Sequence, residues 1–473
     1  MLVAYLSLLV VPLAIIPYVP TQTPAAHSKD WVVRSLCSMA IMIVPFVGWR
    51  KLLRSWTLVD LAILGFVVCH VISALVSGRV AYCFLEHWQT IVWIGLGWLV
   101  YRLQPTVADL RKVTAVVAFA GAACALYGVL SYAGLDVLGW LYQFRFTKTE
   151  EGGRNYIHSF FGNPEYFGGY AAPVSLLCFS RCLQPQVSLR VRAAWVGASA
   201  MLLLALGLSG SRGAFLGVLI GGILLIARQL PTLGRHALKR VLLVLGIGMI
   251  SGIALVVLFS TPNAINRRDM QLAQRFAEAV DLRSASIRER LFFYALTARA
   301  VNENPVWGAG PGTYRLDFFP NMLTLEQSDP NAATEMMAKE LRNRLAEHPH
   351  NDYLEYWYEL GTAGVAFLLL LISLVFARFF MNHWRTTQAT VEDVHLQVLN
   401  AGMTAAIVCL LVNAAFSFPL HLPARGSLFW ILTGCFFASD LAMRTNNGSS
   451  TKMPLAHGAK ADELRKRQIT EES

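Results

Sequence analysis

Apolar runs of about twenty residues, the length that crosses a bilayer, recur from one end of the 473-residue chain to the other. Hydrocarbon offers no partner for backbone N–H and C=O groups, so each such run must satisfy its own and fold as a helix. About twelve spans are expected, near residues 2–19, 31–48, 57–77, 81–101, 110–134, 164–182, 192–209, 213–228, 239–260, 353–380, 396–417 and 425–443. Hydrophobic residues make up 55% of the chain and charged residues 15%, where a soluble domain carries about 25% charge. The mean hydropathy is +0.48. The fold expected is an all-α polytopic membrane protein with a large, mostly helical external loop between the ninth and tenth helices. The first run has no basic leader and no small-residue cleavage site, so it reads as a retained helix.

Lysine and arginine set the orientation. With the N-terminus inside, the internal connections hold Arg50, Lys51 and Arg54; Arg102, Arg111 and Lys112; Arg181, Arg190 and Arg192; Arg228, Arg235, Lys239 and Arg240; then Arg378 and Arg385. The tail adds Arg444, Lys452, Lys460, Arg465, Lys466 and Arg467, so both termini are expected in the cytoplasm. The formal net charge of +11 reflects this bias. No nucleic-acid motif accompanies it, and none of the chain is expected to bind nucleic acid. All eight cysteines fall within expected spans and read as small apolar residues. They show no CxxC pairing, so neither disulfides nor a zinc site is expected.

The chain divides into helices 1–9 over residues 1–260, an external loop over 261–352, helices 10–12 over 353–443 and a polar, disordered tail over 444–473. A shorter external loop interrupts the first group at 135–163. In the large loop, RRDMQLAQRFAEAV, SIRERLFFYALTARAVNENP and NAATEMMAKELRNRLAEH have amphipathic helical spacing. WGAGPGTY supplies a Gly/Pro turn.

The chemistry-bearing residues gather on the external side. His350 stands at the end of the large loop, and Asn351 or Asp352 suits the N-cap of the helix that follows. The positive end of that helix disfavours a protonated imidazole, leaving the neutral form a general base requires. The alternative is an interfacial histidine that only hydrogen-bonds. Gly361 and Gly364 would let a neighbouring helix approach closely. His348 reads more simply as a solvated loop histidine. Glu355 and Glu359 share a helix face; they either offset the dipole or orient His350 and bind a sugar hydroxyl.

SGSRG, residues 209–213, joins two apolar runs. Its glycines allow a tight turn, and Arg212 then begins the next helix on the external side. A bare cation is disfavoured there, whereas a phosphate would be bound by the helix N-terminus and the guanidinium fork. The alternative is an arginine that snorkels and pins the helix end. Arg288 and Arg290 precede LFFYALTARA and read as solvated unless a ligand recruits them. Arg154 lies in GGRNYIHSFFGNPEYFGGY, an aromatic and glycine-rich approach to a helix that suits a polyprenyl chain, sugar rings or the interfacial belt. His70, Glu86 and His87 lie inside expected spans, where ionisable groups either serve function or lock helices together. No nucleotide, metal or hydrolase motif is present. A phosphate-binding membrane protein of this kind draws its energy from its substrate, and a lipid-linked pyrophosphate supplies a good leaving group.

These motifs resemble those of the O-antigen ligase and Wzy-type polymerase superfamily, most closely the ligases. His350-Asn351, nine residues, then Gly361-x-x-Gly364 fits the ligase signature. SGSRGAFLG is similar to the family's Ser-Arg-Gly turn, and RLFFYALTARAVNENPVWGAGPGTY to its arginine-led helix and Gly-Pro-Gly turn. Glu165 stands where the family commonly shows Asn. The resemblance covers roughly residues 30–440.

The resemblance implies a glycosyltransferase of the bacterial inner membrane with its active site facing the periplasm. It would move a glycan from undecaprenyl pyrophosphate to an acceptor hydroxyl, for a ligase a sugar of the lipid A–core. His350, Arg212 and Arg290 are then the catalytic candidates: His350 as base, the arginines on the diphosphate. Arg288, Arg154, Asn351 and Glu355 are the substrate-binding candidates. The implied reaction inverts the anomeric centre and needs neither metal nor cofactor. A polymerase or a protein O-oligosaccharyltransferase shares these motifs. A lipid-linked oligosaccharide flippase is the reading from a different class; it would put its charged residues along a midplane cavity rather than at the external face.

Overall fold

A computed structural model describes residues 1–14, 29–36, 55–132, 157–184 (except 158), 187–229, 285–328, 346–381 and 391–450, with a few isolated positions besides. Among the described residues the elements are helical and there is no strand. The labelled helices are α1 (Leu2–Leu13), α2 (Leu58–Val76), α3 (Val80–Leu103), α4 (Val107–Tyr132), α5 (Pro164–Cys182), α6 (Leu189–Ser209), α7 (Arg212–Gln229), α8 (Ala285–Ala300), α9 (Tyr314–Ser328), α10 (Asp352–Met381), α11 (Val391–Ala414) and α12 (Pro423–Ser450). Seven of these, α2, α4, α6, α7, α10, α11 and α12, are long and apolar enough to cross a membrane. The chain is a multi-pass membrane protein.

Helices α11 and α12 form the centre. Their apolar windows are 83% and 89% buried, against 28% for α6, which keeps most of its surface for lipid. α11 packs on α7 and α5, α12 on α3, and α10 on α2. In lipid the hydrophobic effect does not draw helices together, so close backbone approach matters more. Gly217 and Gly221 of α7 lie directly on the carbonyls of Cys409 and Ala405 of α11. One end of α2 is fixed by charge. Thr57 and Asp60 form a reciprocal N-terminal cap, and buried Asp60 also pairs with Arg102 of α3 at 3.0 Å.

Several expectations need correction. The last helix continues through NNGSS to Ser450, past the expected boundary at 443. Extending a formed helix gains a hydrogen bond per residue fixed, so a polar sequence can continue it. In the large loop, α8 forms as expected, and α9 forms where no helix was expected. Of the pattern NAATEMMAKELRNRLAEH, expected to be helical, the last three residues, Ala346 to His348, are not helical, and the rest lies outside the described residues. RRDMQLAQRFAEAV, most of the 31–48 and 239–260 spans, and Arg154 in the short loop lie outside the described residues.

The largest departure concerns Gly361. It does not admit a neighbouring helix. Its φ of 66° and ψ of −171° break α10 into two helical pieces. Into the break docks the turn at 305–310. Ala309 and Gly310 donate to the carbonyls of Tyr358 and Glu359, and Thr362 and Ala363 donate to those of Pro305 and Val306. A Cβ at Gly361 would strike the Val306 carbonyl. Gly364 faces Leu360 of its own helix.

Candidate functional site

The first turns of α10 form one wall of the site. Asn351 caps the helix: its Oδ1 accepts from the N–H groups of Tyr353 and Leu354 at 3.0 and 3.1 Å. That side-chain oxygen, expected to contact substrate, is therefore used by the cap. His350, one residue earlier, adopts φ 58°, a left-handed conformation uncommon outside glycine. Three side chains surround it. The Tyr294 hydroxyl of α8 lies 3.1 Å from both the His350 carbonyl and the Ala415 carbonyl beyond α11. The imidazole sits between Phe293, stacked at 6.3 Å, and Phe418, edge-on at 5.2 Å.

Burial pushes His350 down to about 4, and Arg290, His348 and Arg425 act in the same direction, while Glu165 opposes them. The ring is thus neutral at neutral pH, and its buried Nδ1 has no hydrogen-bond partner among the described residues. A neutral imidazole beside cations is suited to taking a proton from a substrate hydroxyl.

Arg290 of α8 pairs with Glu165 in the first turn of α5 at 3.3 Å. Asn163 starts that turn, its Oδ1 accepting from the Glu165 N–H at 2.8 Å, and Pro164 fills the first helical position. Arg288, two residues before Arg290, is exposed. Arg212 is half-buried at the start of α7, directly after the turn in which Gly210 takes φ 68°. The SGSRG turn presses on α5, since a Cβ at Gly168 would meet Ser209 and Ser211. The motifs at 163–169, 209–213 and 290–294 thus converge near His350, although they are widely separated in sequence.

A second layer lies behind His350. His348, expected in solvent, is instead drawn inward. Its Nδ1 is 2.6 Å from Glu355 Oε1, and its ring stacks on Phe418 at 4.0 Å. Burial pushes His348 down to about 4. The reason is Glu355: a buried carboxylate needs a partner, and the bend at 346–350 delivers one. Glu355, expected to orient His350 or bind a sugar, therefore orients His348. His421, in the short turn between α11 and α12, bonds Asp352 at 2.5 Å and lies 3.7 Å from both Glu355 and Glu359. Burial opposes its charge, but these carboxylates outweigh it and hold His421 protonated well above the ordinary range. His87 approaches Glu359 at 3.9 Å, so the histidine–glutamate contact between spans is made by these two. His70 bonds the Phe66 carbonyl at 2.9 Å.

Among the described residues, two sets of side chains could ligate a cation: His87, Glu359 and His421, or Asp352, Glu355 and His421. His421 belongs to both, and its imidazolium already supplies positive charge to the carboxylates.

Sequence reading overlooked His421, Asp352 as a partner, Asn413 and Arg425. Arg425 carried a usable signal. It begins a span on the same side as Arg212, where the positive-inside bias disfavours a cation. Its head lies over the Tyr166 ring, 5.1 Å from the centroid.

No curated protein matches the chain. Residues 197–369 match the family model described as O-antigen ligase. The match spans the SGSRG turn, α8, the 305–310 turn, His350 and the break in α10. Over these residues the chain is similar to the O-antigen ligase family, which supports the resemblance to the O-antigen ligase and Wzy-type polymerase superfamily.

Proposed function

We propose that the protein is a ligase-type glycosyltransferase that moves a glycan from undecaprenyl pyrophosphate to a sugar hydroxyl of the lipid A–core at the periplasmic face of the inner membrane. One observation carries the reading: a neutral, strained histidine stands at the mouth of a membrane helix, within electrostatic reach of Arg290 and Glu165. His350 takes the acceptor proton as the hydroxyl oxygen attacks the anomeric carbon. The bond from that carbon to the diphosphate breaks, and its electron pair leaves with the phosphoryl oxygen. Arg212 and Arg290 stabilise the charge that develops there. Attack without a covalent enzyme intermediate inverts the anomeric centre. The proton on His350 then passes to solvent.

The test is reconstitution of the purified protein in vesicles with a lipid-diphosphate glycan donor and lipid A–core. Transfer of glycan to the core with release of undecaprenyl pyrophosphate is the expected result. Movement of intact donor across the vesicle membrane without transfer would make the protein a transporter. Elongation of donor glycans in place of core modification would make it a polymerase.

A further inference from the structure

Arg425 is 1% exposed, yet its Nε, Nη1 and Nη2 have no hydrogen-bond acceptor among the described residues. A guanidinium taken out of water without a partner is among the costliest arrangements a protein can hold. The Tyr166 ring beneath it recovers a small part of that cost. The carboxylates of Glu165 and Asp352 act on it electrostatically but form no hydrogen bond with it.

Its surroundings are also unpartnered. Asn413, at the end of α11, is 1% exposed, and both its side-chain nitrogen and oxygen lack partners. Ser211, just before α7, is buried, and its hydroxyl has none. Ser211 therefore does not spend its oxygen capping the first N–H groups of α7. These groups meet at two glycines. A methyl at Gly169 would lie 2.7 Å from Asn413 Nδ2 and closer still to Arg425 Nη1. A methyl at Gly213, in the first turn of α7, would lie 2.7 Å from Asn413 Oδ1. The guanidinium, the amide and the start of α7 thus converge on one buried spot behind the SGSRG turn.

We propose that Arg425, Asn413 and the N-terminus of α7 form a buried pocket for phosphoryl oxygens of the donor diphosphate, in addition to Arg212 and Arg290. A phosphate accepts several hydrogen bonds and carries the charge that the guanidinium and the helix end both require. The proposal rests on the lipid-diphosphate reading above for the identity of its ligand. Arg425 is a binding residue in this arrangement and takes no part in proton transfer.

The experiment measures binding of undecaprenyl pyrophosphate, inorganic pyrophosphate and undecaprenol to the purified full chain and to Arg425→Met and Arg425→Lys. Wild type should bind the lipid diphosphate and not undecaprenol. Arg425→Met should weaken that binding at least tenfold, and lysine should restore only part of it. Thermal unfolding without added lipid supplies a second readout. Methionine removes an unpaired buried charge, so Arg425→Met should unfold at a higher temperature than wild type. Undiminished lipid-diphosphate binding by Arg425→Met overturns the pocket and leaves the proposed donor intact. So does a lowered unfolding temperature with unchanged binding, which makes Arg425 a structural residue. Arg425-dependent binding of inorganic pyrophosphate, with no binding of the lipid form, supports the pocket and overturns the donor. Binding of none of the three overturns both.

Discussion

Arg290 Nη2 lies 3.3 Å from Glu165 Oε1, an ion pair that joins the loop helix α8 to the first turn of α5 across 125 residues of sequence. The donor diphosphate must take Arg290 from Glu165 if that arginine is to hold it. Glu165→Gln should therefore lower KM for the donor about threefold to fivefold, since a partly exposed pair is worth only about 1 kcal/mol. The same change removes the one carboxylate that raises His350, so the acid limb of the rate profile should move to lower pH. Steady-state kinetics over pH checks both. An unchanged KM would mean that Arg290 never leaves Glu165.

His350→Ala should depress turnover about 10²–10⁴-fold while donor affinity stays near wild type, because a base acts on the acceptor proton. His348→Ala should behave differently. It leaves buried Glu355 without its 2.6 Å partner, which should cost about 1–3 kcal/mol of stability with a smaller loss of turnover. Paired donor-binding and transfer measurements, with thermal unfolding, separate the two. Collapse of donor affinity in His350→Ala would make His350 a phosphate ligand instead of a base.

The pH dependence should differ between free and donor-bound protein. In the free protein burial and the nearby cations hold His350 at about 4. Diphosphate bound at Arg290 adds negative charge, which favours the protonated ring and raises it. The acid limb of kcat should therefore lie at least about one pH unit above that of kcat/KM for the donor, since the two report the bound and free enzyme. Coincident limbs would show that donor charge is not felt at His350.

Arg212→Lys should retain less than about a tenth of wild-type turnover although charge is conserved. A point charge cannot replace two parallel N–H donors on a phosphoryl group, a loss of about 2–3 kcal/mol in the transition state. Near-normal turnover by a folded lysine variant would favour an arginine that only pins the helix end.

Gly361→Ala should destabilise the protein by about 2–4 kcal/mol, from an L-residue forced into a glycine-only conformation and from displacement of the docked turn. Limited proteolysis between Val306 and Thr313 should become faster. Protection equal to wild type would mean that the turn holds without the break.

The helices of this protein were legible because hydrocarbon enforces them: apolar runs near twenty residues leave the backbone one solution. The Asn351 cap was legible because it is local. What escaped was non-local. That Gly361 breaks a helix depends on backbone pairing with residues 305–310, and nothing near Gly361 announces that partner. His348 looked solvated because Glu355 lies a full turn inside the following helix and was read only as a dipole charge. His421 and Arg425 fall in a short connection between two apolar runs, FSFPLHLPARG. The polarity argument applied to Arg212 applied equally to Arg425 and was not extended to it. Asn413 closes an apolar run and becomes chemical only when α5 and α7 bring their glycines against it.

The docked turn at 305–310 clamps the segment that follows α8 onto α10. Raising the outer layer off α10 would uncover the carbonyls of Tyr358, Glu359, Pro305 and Val306 together with the amides that now meet them. At about 1–3 kcal/mol for each stranded group, lifting this turn is costly. On the proposed reading, a polyprenyl donor would have to reach His350 from the bilayer side, with this turn still docked.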